Sequence, residues 1–162
     1  MQSEIMKMQQ PAYKPQSEDE IVVYNLYQEL LKCWNEQNAA NYASLFTDSA
    51  TVVGFDGSEM NGKQEIETSL REIFAHHRTN SYVSKVREMS FLTTEVILLR
   101  AVSGLFAPGK PVINPATNAI QTMIAVKQKV SWRIALFQNT PAQFHGRPEL
   151  AEALTKELQE LL

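Results

Sequence analysis

The side chains able to move a proton, bind a metal or attack an electrophile are few in this chain, and they are scattered. There are three histidines and one cysteine. His76 and His77 are adjacent, and adjacent residues on a helix do not face each other, so they are read as one surface and one half-buried imidazole rather than a metal pair. His145 sits in a loop beside Gly146 and Pro148 and is read as solvent-exposed. A nucleophilic cysteine needs an electropositive, partly exposed setting. Cys33, mid-helix beside Trp34, reads instead as a small core residue. This inventory implies no metal and no cofactor. The carboxylates nearest apolar segments are Asp48, Asp56, Glu59, Glu88 and Glu95. In an apolar pocket one of them would have a raised pKa suited to acid–base work. Their turn and strand-edge positions favour solvent instead. Arg100 interrupts a long apolar run, where a charge needs a partner or a wet cavity, and Glu88 or Glu95 is the expected partner. The six glycines form neither GxGxxG nor GxxxxGK[ST].

Aromatic bulk is the more informative signal. Tyr27, Trp34, Phe46, Phe55, Phe74 and Phe137 recur where an inner face is expected, together with Met123. Most must be core. A cone-like sheet closed by helices also leaves an apolar pocket with a few polar groups at its mouth, a role open to Gln121, Gln138 and Asn139. The expected ligand-binding pocket is therefore Tyr27, Trp34, Phe46, Phe55, Phe74, Gln121, Met123, Phe137 and Asn139. Carboxamides orient a ligand but are neither acids nor bases, so no catalytic residue is assigned.

These residues are positioned by an alternation of helices and strands. Residues 1–16, polar and broken by Pro11 and Pro15, read as a flexible tail. Ser17 with Glu20 is a capping-box pattern opening a helix, along which Val23, Leu26, Tyr27, Leu30 and Trp34 form a stripe. Asn38 stops it near Gln37 and caps a short helix from Ala39 to Phe46. Ala50–Val53 is a short strand bending at Gly54, Asp56 and Gly57. Asn61 and Gln64 start a third helix carrying Ile66, Leu70, Ile73, Phe74 and His77. Strands follow over Tyr82–Phe91, Glu95–Phe106, Ala119–Lys127 and Ser131–Pro141. Pro108, Gly109, Pro111 and Pro115 are read as a loop that cannot sustain a ladder. In the last strand strict alternation puts Trp132, Ile134, Leu136 and Gln138 on one face and Arg133, Ala135, Phe137 and Asn139 on the other. Pro148 opens a closing helix whose Leu150, Leu154, Leu158 and Leu161 must dock on the body or on a partner.

Helices segregated from long antiparallel strands give an α+β fold, a curved sheet with helices packed on its concave face. The expected organisation is a tail over 1–16, an α+β barrel domain over 17–145 and an amphipathic helix over 146–162. A chain of 162 residues, 44% hydrophobic, with a net charge of −3, fits one globular domain. Basic residues form no patch, which argues against nucleic acid. No apolar run approaches the roughly 18–20 residues that span a bilayer. With a lone cysteine and no secretory h-region, a cytoplasmic location is expected.

Trp34-Asn35, Leu45-Phe46-Thr47-Asp48-Ser49-Ala50 and Trp132 to Thr140 together resemble the SgcJ/EcaC family of the SnoaL-like, nuclear-transport-factor-2-like superfamily. Asn114-Pro115-Ala116, Ile120-Gln121 and Phe144 to Glu149 also resemble one branch of it. The resemblance spans about residues 18–150. It implies a cone-shaped α+β barrel, commonly a homodimer formed through the outer sheet face, and it carries an oxidoreductase label that no cofactor motif here supports. Isomerases of this superfamily place a catalytic Asp a few residues into the strand after Asp-Ala-Thr-Val. Counted from Ala50-Thr51-Val52, that place falls at or next to Gly54, which has no group for proton transfer. Two readings follow: a protein binding a small apolar or aromatic metabolite in its cone, or a non-catalytic dimerisation and interaction module.

Overall fold

A computed structural model describes residues 2–162 of the chain. Met1, the first residue of the expected tail, lies outside the described residues. The elements run α1 (Gln2–Gln9), α2 (Glu18–Asn35), α3 (Ala39–Ser44), β1 (Phe46–Val53), β2 (Glu59–Asn61), α4 (Lys63–His76), β3 (Ser81–Thr93), β4 (Val96–Phe106), β5 (Ile113–Gln128), β6 (Ser131–Pro141) and α5 (Pro148–Gln159). The strands form a six-stranded curved sheet in the order β2-β1-β6-β5-β4-β3, with β1 parallel to β6 and every other pair antiparallel. β2 and β3 are its two edges. The expected barrel is therefore an open sheet: its ends do not meet.

Local chemistry explains most boundaries. The Ser17 hydroxyl accepts from the Glu20 amide and opens α2. Gln37, at φ 57°, closes it in the left-handed region, and the Asn38 amide reaches back to the Cys33 carbonyl. The Asn38 side chain then caps α3 by accepting from the Asn41 amide. α3 ends at Ser44, two residues before its expected end, and β1 begins at Phe46 rather than Ala50. α4 begins after Gly62, not Asn61, and the Glu65 carboxylate accepts the Asn61 amide. Pro115 lies inside β5 rather than in a loop. The ladder resumes beyond it, at Asn114 and Ile113, across a register shift between Ser103 and Leu105 of β4. An irregularity is where a residue without an N–H is tolerated in a sheet.

Helices cover both faces of the sheet. On the inner, concave face α2, α3 and α4 pack Val23, Tyr27, Leu30, Tyr42, Ile66 and Leu70 against Ile97, Leu99, Met123, Ile134 and Phe137 of the strands. On the outer face a second cluster joins Met8 of α1 and Leu154 and Leu158 of α5 to Val102 and Ile113. Of the four leucines expected to dock, Leu161 lies beyond the end of α5 and is 44% exposed, whereas Leu150, Leu154 and Leu158, at most 1% exposed, dock on the body. Gly104 makes this contact possible: a Cβ there would stand 3.0 Å from the Leu158 side chain. The segment expected as a flexible tail carries a helix, because Met8 finds a buried seat between α5 and the sheet. Beyond that helix, the Tyr13 amide bonds the Val86 carbonyl on edge strand β3.

Edge strand β3 is also closed by side chains. The Asn35 carboxamide both donates to the Tyr82 carbonyl, at 3.1 Å, and accepts from its amide, at 2.7 Å, as a neighbouring strand would. Trp34 Nε1 donates to the Asn80 carbonyl. Unpaired edges invite pairing with other chains, and these contacts blunt this one.

Candidate functional site: the polar floor of the cone

The last strand departs from strict alternation, and the departure defines the site. The β5–β6 register shifts between Ile124 and Ala125, which pair with Leu136 and Ile134. One extra residue, Ala135, is accommodated on β6, as in a β-bulge, and every side chain after it changes face. Trp132, Ile134, Phe137 and Asn139 point inward and are buried, whereas Gln138 is exposed on the outer face. The bulge thus brings Asn139, rather than Gln138, to the face that carries Trp132 and Ile134.

Inside the cone Asn139 joins a continuous chain of hydrogen bonds. The Tyr27 hydroxyl donates to Gln121 Oε1 at 2.5 Å, Gln121 Nε2 to Asn139 Oδ1 at 3.0 Å, and Asn139 Nδ2 to the Val53 carbonyl at 3.2 Å. Tyr27 and Gln121 are 0% exposed and Asn139 8%. Buried polar groups are costly unless paired, and here each member's partner is the next. Ser103 of β4 is also fully buried on this face, and its hydroxyl has no partner among the described residues.

Of the nine expected pocket residues, Tyr27, Phe46, Gln121, Met123, Phe137 and Asn139 come together in this interior. Tyr27, Phe46, Gln121 and Met123 are 0% exposed, so the interior is closed tightly around them. Trp34 and Phe74 meet edge-to-face at the rim, with ring centroids 5.4 Å apart, and Tyr82 lies against Trp34. Phe55 is apart from them, in the turn between β1 and β2, where Gly54 separates it from the end of β1 at Val53. Sequence reasoning missed Ser103 and Tyr82. Ser103 does carry a signal: it is a small hydroxyl residue inside the apolar run of β4.

The groups able to transfer protons lie elsewhere. Asp48, Asp56, Glu59, Glu88 and Glu95 are exposed, as are His76, His77 and His145. Arg100 pairs with Glu88 across β4 and β3 on the outer face, at 3.3 Å. Cys33 is 1% exposed, and burial pushes its thiol up to about 11, leaving it protonated and unreactive at neutral pH. Burial also pushes the Tyr27 phenol well above its usual range, so it serves as a neutral donor. A phenol and two carboxamides can hold and orient a polar group, and none can act as a base at neutral pH.

The comparisons with known proteins agree with this geometry. No curated protein matches the chain. Among solved structures, a cystatin-like-fold domain of unknown function from Nostoc punctiforme superposes with a TM-score of 0.74 at 18% identity, covering 85% of each chain. A candidate calcium/calmodulin-dependent protein kinase type II association domain from Thiobacillus denitrificans gives 0.65 at 10% identity, over 83% of this chain and 100% of that one. A ketosteroid isomerase-like protein from Erwinia carotovora atroseptica gives 0.61 at 16% identity, over 79% of this chain and 99% of that one. These identities speak for the fold alone. The model of the SnoaL-like domain matches residues 23–139, from the first buried valine of α2 to the last carboxamide of the polar floor, and the chain belongs to that family.

Proposed function

We propose that this SnoaL-like chain is a non-catalytic association module whose outer sheet face seats a second copy of itself. One observation carries the reading. Leu98, Ile124 and Leu136 stand side by side across β4, β5 and β6, in register and partly exposed on the outer face. Val96 and Val126 extend the patch in the next row. α1 and α5 cover the sheet around Val102 and Ile113 instead. The row has aliphatic residues at both ends of Ile124, so a two-fold axis there would lay it on its own copy, as an isologous interface requires. The similarity to a candidate kinase association domain supports an assembly role. Within the family we place the chain in the SgcJ/EcaC branch, on its Leu45–Ala50 and Trp132–Thr140 stretches.

Light scattering after size exclusion tests this on the full chain. The wild type should elute at twice 18.3 kDa and Leu136→Glu at 18.3 kDa, with unchanged circular dichroism. A monomeric wild type at 100 μM, on the order of the concentrations where weak interfaces assemble, or a variant that stays dimeric, would sink the proposal.

A second reading is favoured by Ser103. Its unpartnered hydroxyl lies on the inner face that also carries the Tyr27–Gln121–Asn139 chain, and a small apolar or aromatic metabolite with one polar group would satisfy it. Native mass spectrometry against such metabolites, with Ser103→Ala as control, tests this reading: binding lost in the variant supports it, and no bound mass rejects it.

A further inference from the structure

A cavity of about 790 Å³ lies on the outer face of the sheet, beneath α1 and the segment that follows it. It falls within the roughly 300–1,000 Å³ typical of small-molecule sites. Its walls are set by topology. Met6 and Met8 come from α1, Ile120 from β5, Leu154 from α5, and Phe144 from the loop before α5. Methionine thioethers are soft and adapt to differently shaped apolar ligands.

Three cations and two carboxylates also line it: Lys7, Arg87 and Arg100 against Glu4 and Glu88. Arg87 is already committed, holding Glu157 with both terminal nitrogens at 2.5 and 2.7 Å. Lys7 pairs with Glu4 at 3.3 Å. Arg100 is different. Its side chain is 52% exposed, and its side-chain hydrogen bonding among the described residues is one Nη1 bond to Glu88 at 3.3 Å. A guanidinium has five N–H donors in a fork that matches a carboxylate, so most of this one remains available.

We propose that this cavity is a binding site for a monocarboxylate with an extended apolar body. The hydrocarbon lies against Met6, Met8, Ile120 and Phe144, and the carboxylate takes the free edge of the Arg100 fork. The site is distinct from the cone: it lies against the outer face of the middle of β4 and β5, whereas Tyr27, Gln121 and Asn139 are bonded to one another on the inner face.

Methyl NMR on the full chain with ¹³C-methyl methionine tests it, using decanoate below its micelle concentration and decanol as the uncharged match. Decanoate should shift the Met6 and Met8 methyls saturably and leave Met123 in place. Decanol should bind about tenfold more weakly, and Arg100→Gln should weaken decanoate by a similar factor with the Met6 and Met8 pattern retained. Shifts at Met123 without Met6 and Met8 would place the ligand in the cone and overturn the proposal, as would the absence of any saturable shift. Equal affinity for decanol, or for Arg100→Gln, would overturn the carboxylate assignment.

Discussion

The two faces of one sheet solve opposite problems with the same strands. On the inner face apolar side chains are sealed beneath α2, α3 and α4, and the polar groups of Tyr27, Gln121 and Asn139 are bonded to one another. On the outer face the covering is partial. α1 and α5 close one half, held partly by ions, while Leu98, Ile124 and Leu136 remain half-open on the other. The inner face is specified by packing, which tolerates little change. The outer face mixes charge, cavity and bare aliphatic surface, the ingredients of recognition. Ser103 apart, the buried polar groups of the sealed side are tied to partners, Glu20 of α2 included, which accepts from the Tyr13 hydroxyl at 2.7 Å, and binding features gather on the open one.

Breaking the inner face should have the largest effect. Phe137→Ala removes a ring that is 2% exposed and leaves a void between Met123 and the helices, at about 3–5 kcal/mol. The midpoint of urea unfolding should fall accordingly. A loss below about 1 kcal/mol would mean the cone interior is loosely packed and able to admit a ligand.

The outer face has one counterpart of comparable weight. Glu157 of α5, its side chain 4% exposed, is held by Lys85 at 2.9 Å and by both terminal nitrogens of Arg87. Glu157→Gln leaves two cations beneath α5 without their anion and should cost about 3 kcal/mol, near the lower end for breaking a buried pair. The loss should shrink when Lys85→Met is added, because one uncompensated charge is then gone. A double variant as unstable as the single one would show that the uncompensated Lys85 charge is not the source of the loss.

The next test compares neighbours. Asn139→Ala strips a partner from Gln121 and from the Val53 carbonyl and should cost about 2 kcal/mol. Gln138→Ala, one residue away but exposed on the other face, should stay within about 0.5 kcal/mol. Equal effects in thermal unfolding would show that Asn139 does not face the sealed interior while Gln138 faces out.

That pair also marks the limit of what could be read from the sequence. Helix positions were legible, because a 3.6-residue stripe and a capping serine are local signals: Ser17, Tyr27 and Leu30 stand as expected. The long strands were legible from their apolar runs, and the Arg100–Glu88 pair from the rule that a charge in such a run needs a partner. The inward set Tyr27, Phe46, Met123 and Phe137 was legible for the same reason. That Trp132 and Ile134 share the inner face with Phe137 and Asn139 was not. It depends on a register shift imposed by β5, a partner distant in sequence, and one slipped residue reverses every later side chain. α1 was hidden because its fixation rests on Met8, whose seat is assembled from α5 and β4 at the other end of the chain. The Glu157 cluster was hidden likewise, since nothing local distinguishes that glutamate from its exposed neighbours in α5. Phe55 was misplaced because aromatic type alone does not tell a bend from a wall.

The smallest expected effect lies where the inner face reaches solvent. Trp132 is 4% exposed, yet its indole Nε1 donates to Asp19 at 2.9 Å, tying the first turn of α2 to the start of β6. That hydrogen bond, with help from Lys127 at 3.5 Å, holds the Asp19 carboxyl below its usual 3.8. A carboxyl with a lowered folded pKa binds its proton more weakly in the folded chain than in the unfolded one. Its contribution is therefore present above 3.8 and is lost as pH falls through the lower folded value. Asp19→Asn removes that titration. Its stability should lie slightly below wild type at neutral pH, and the two curves should converge as the medium is acidified. Urea midpoints measured from pH 6 downward give the sign directly. Parallel curves would mean that the indole contact is equally good with a neutral amide, and that Trp132 is fixed by packing on the inner face rather than by this charge.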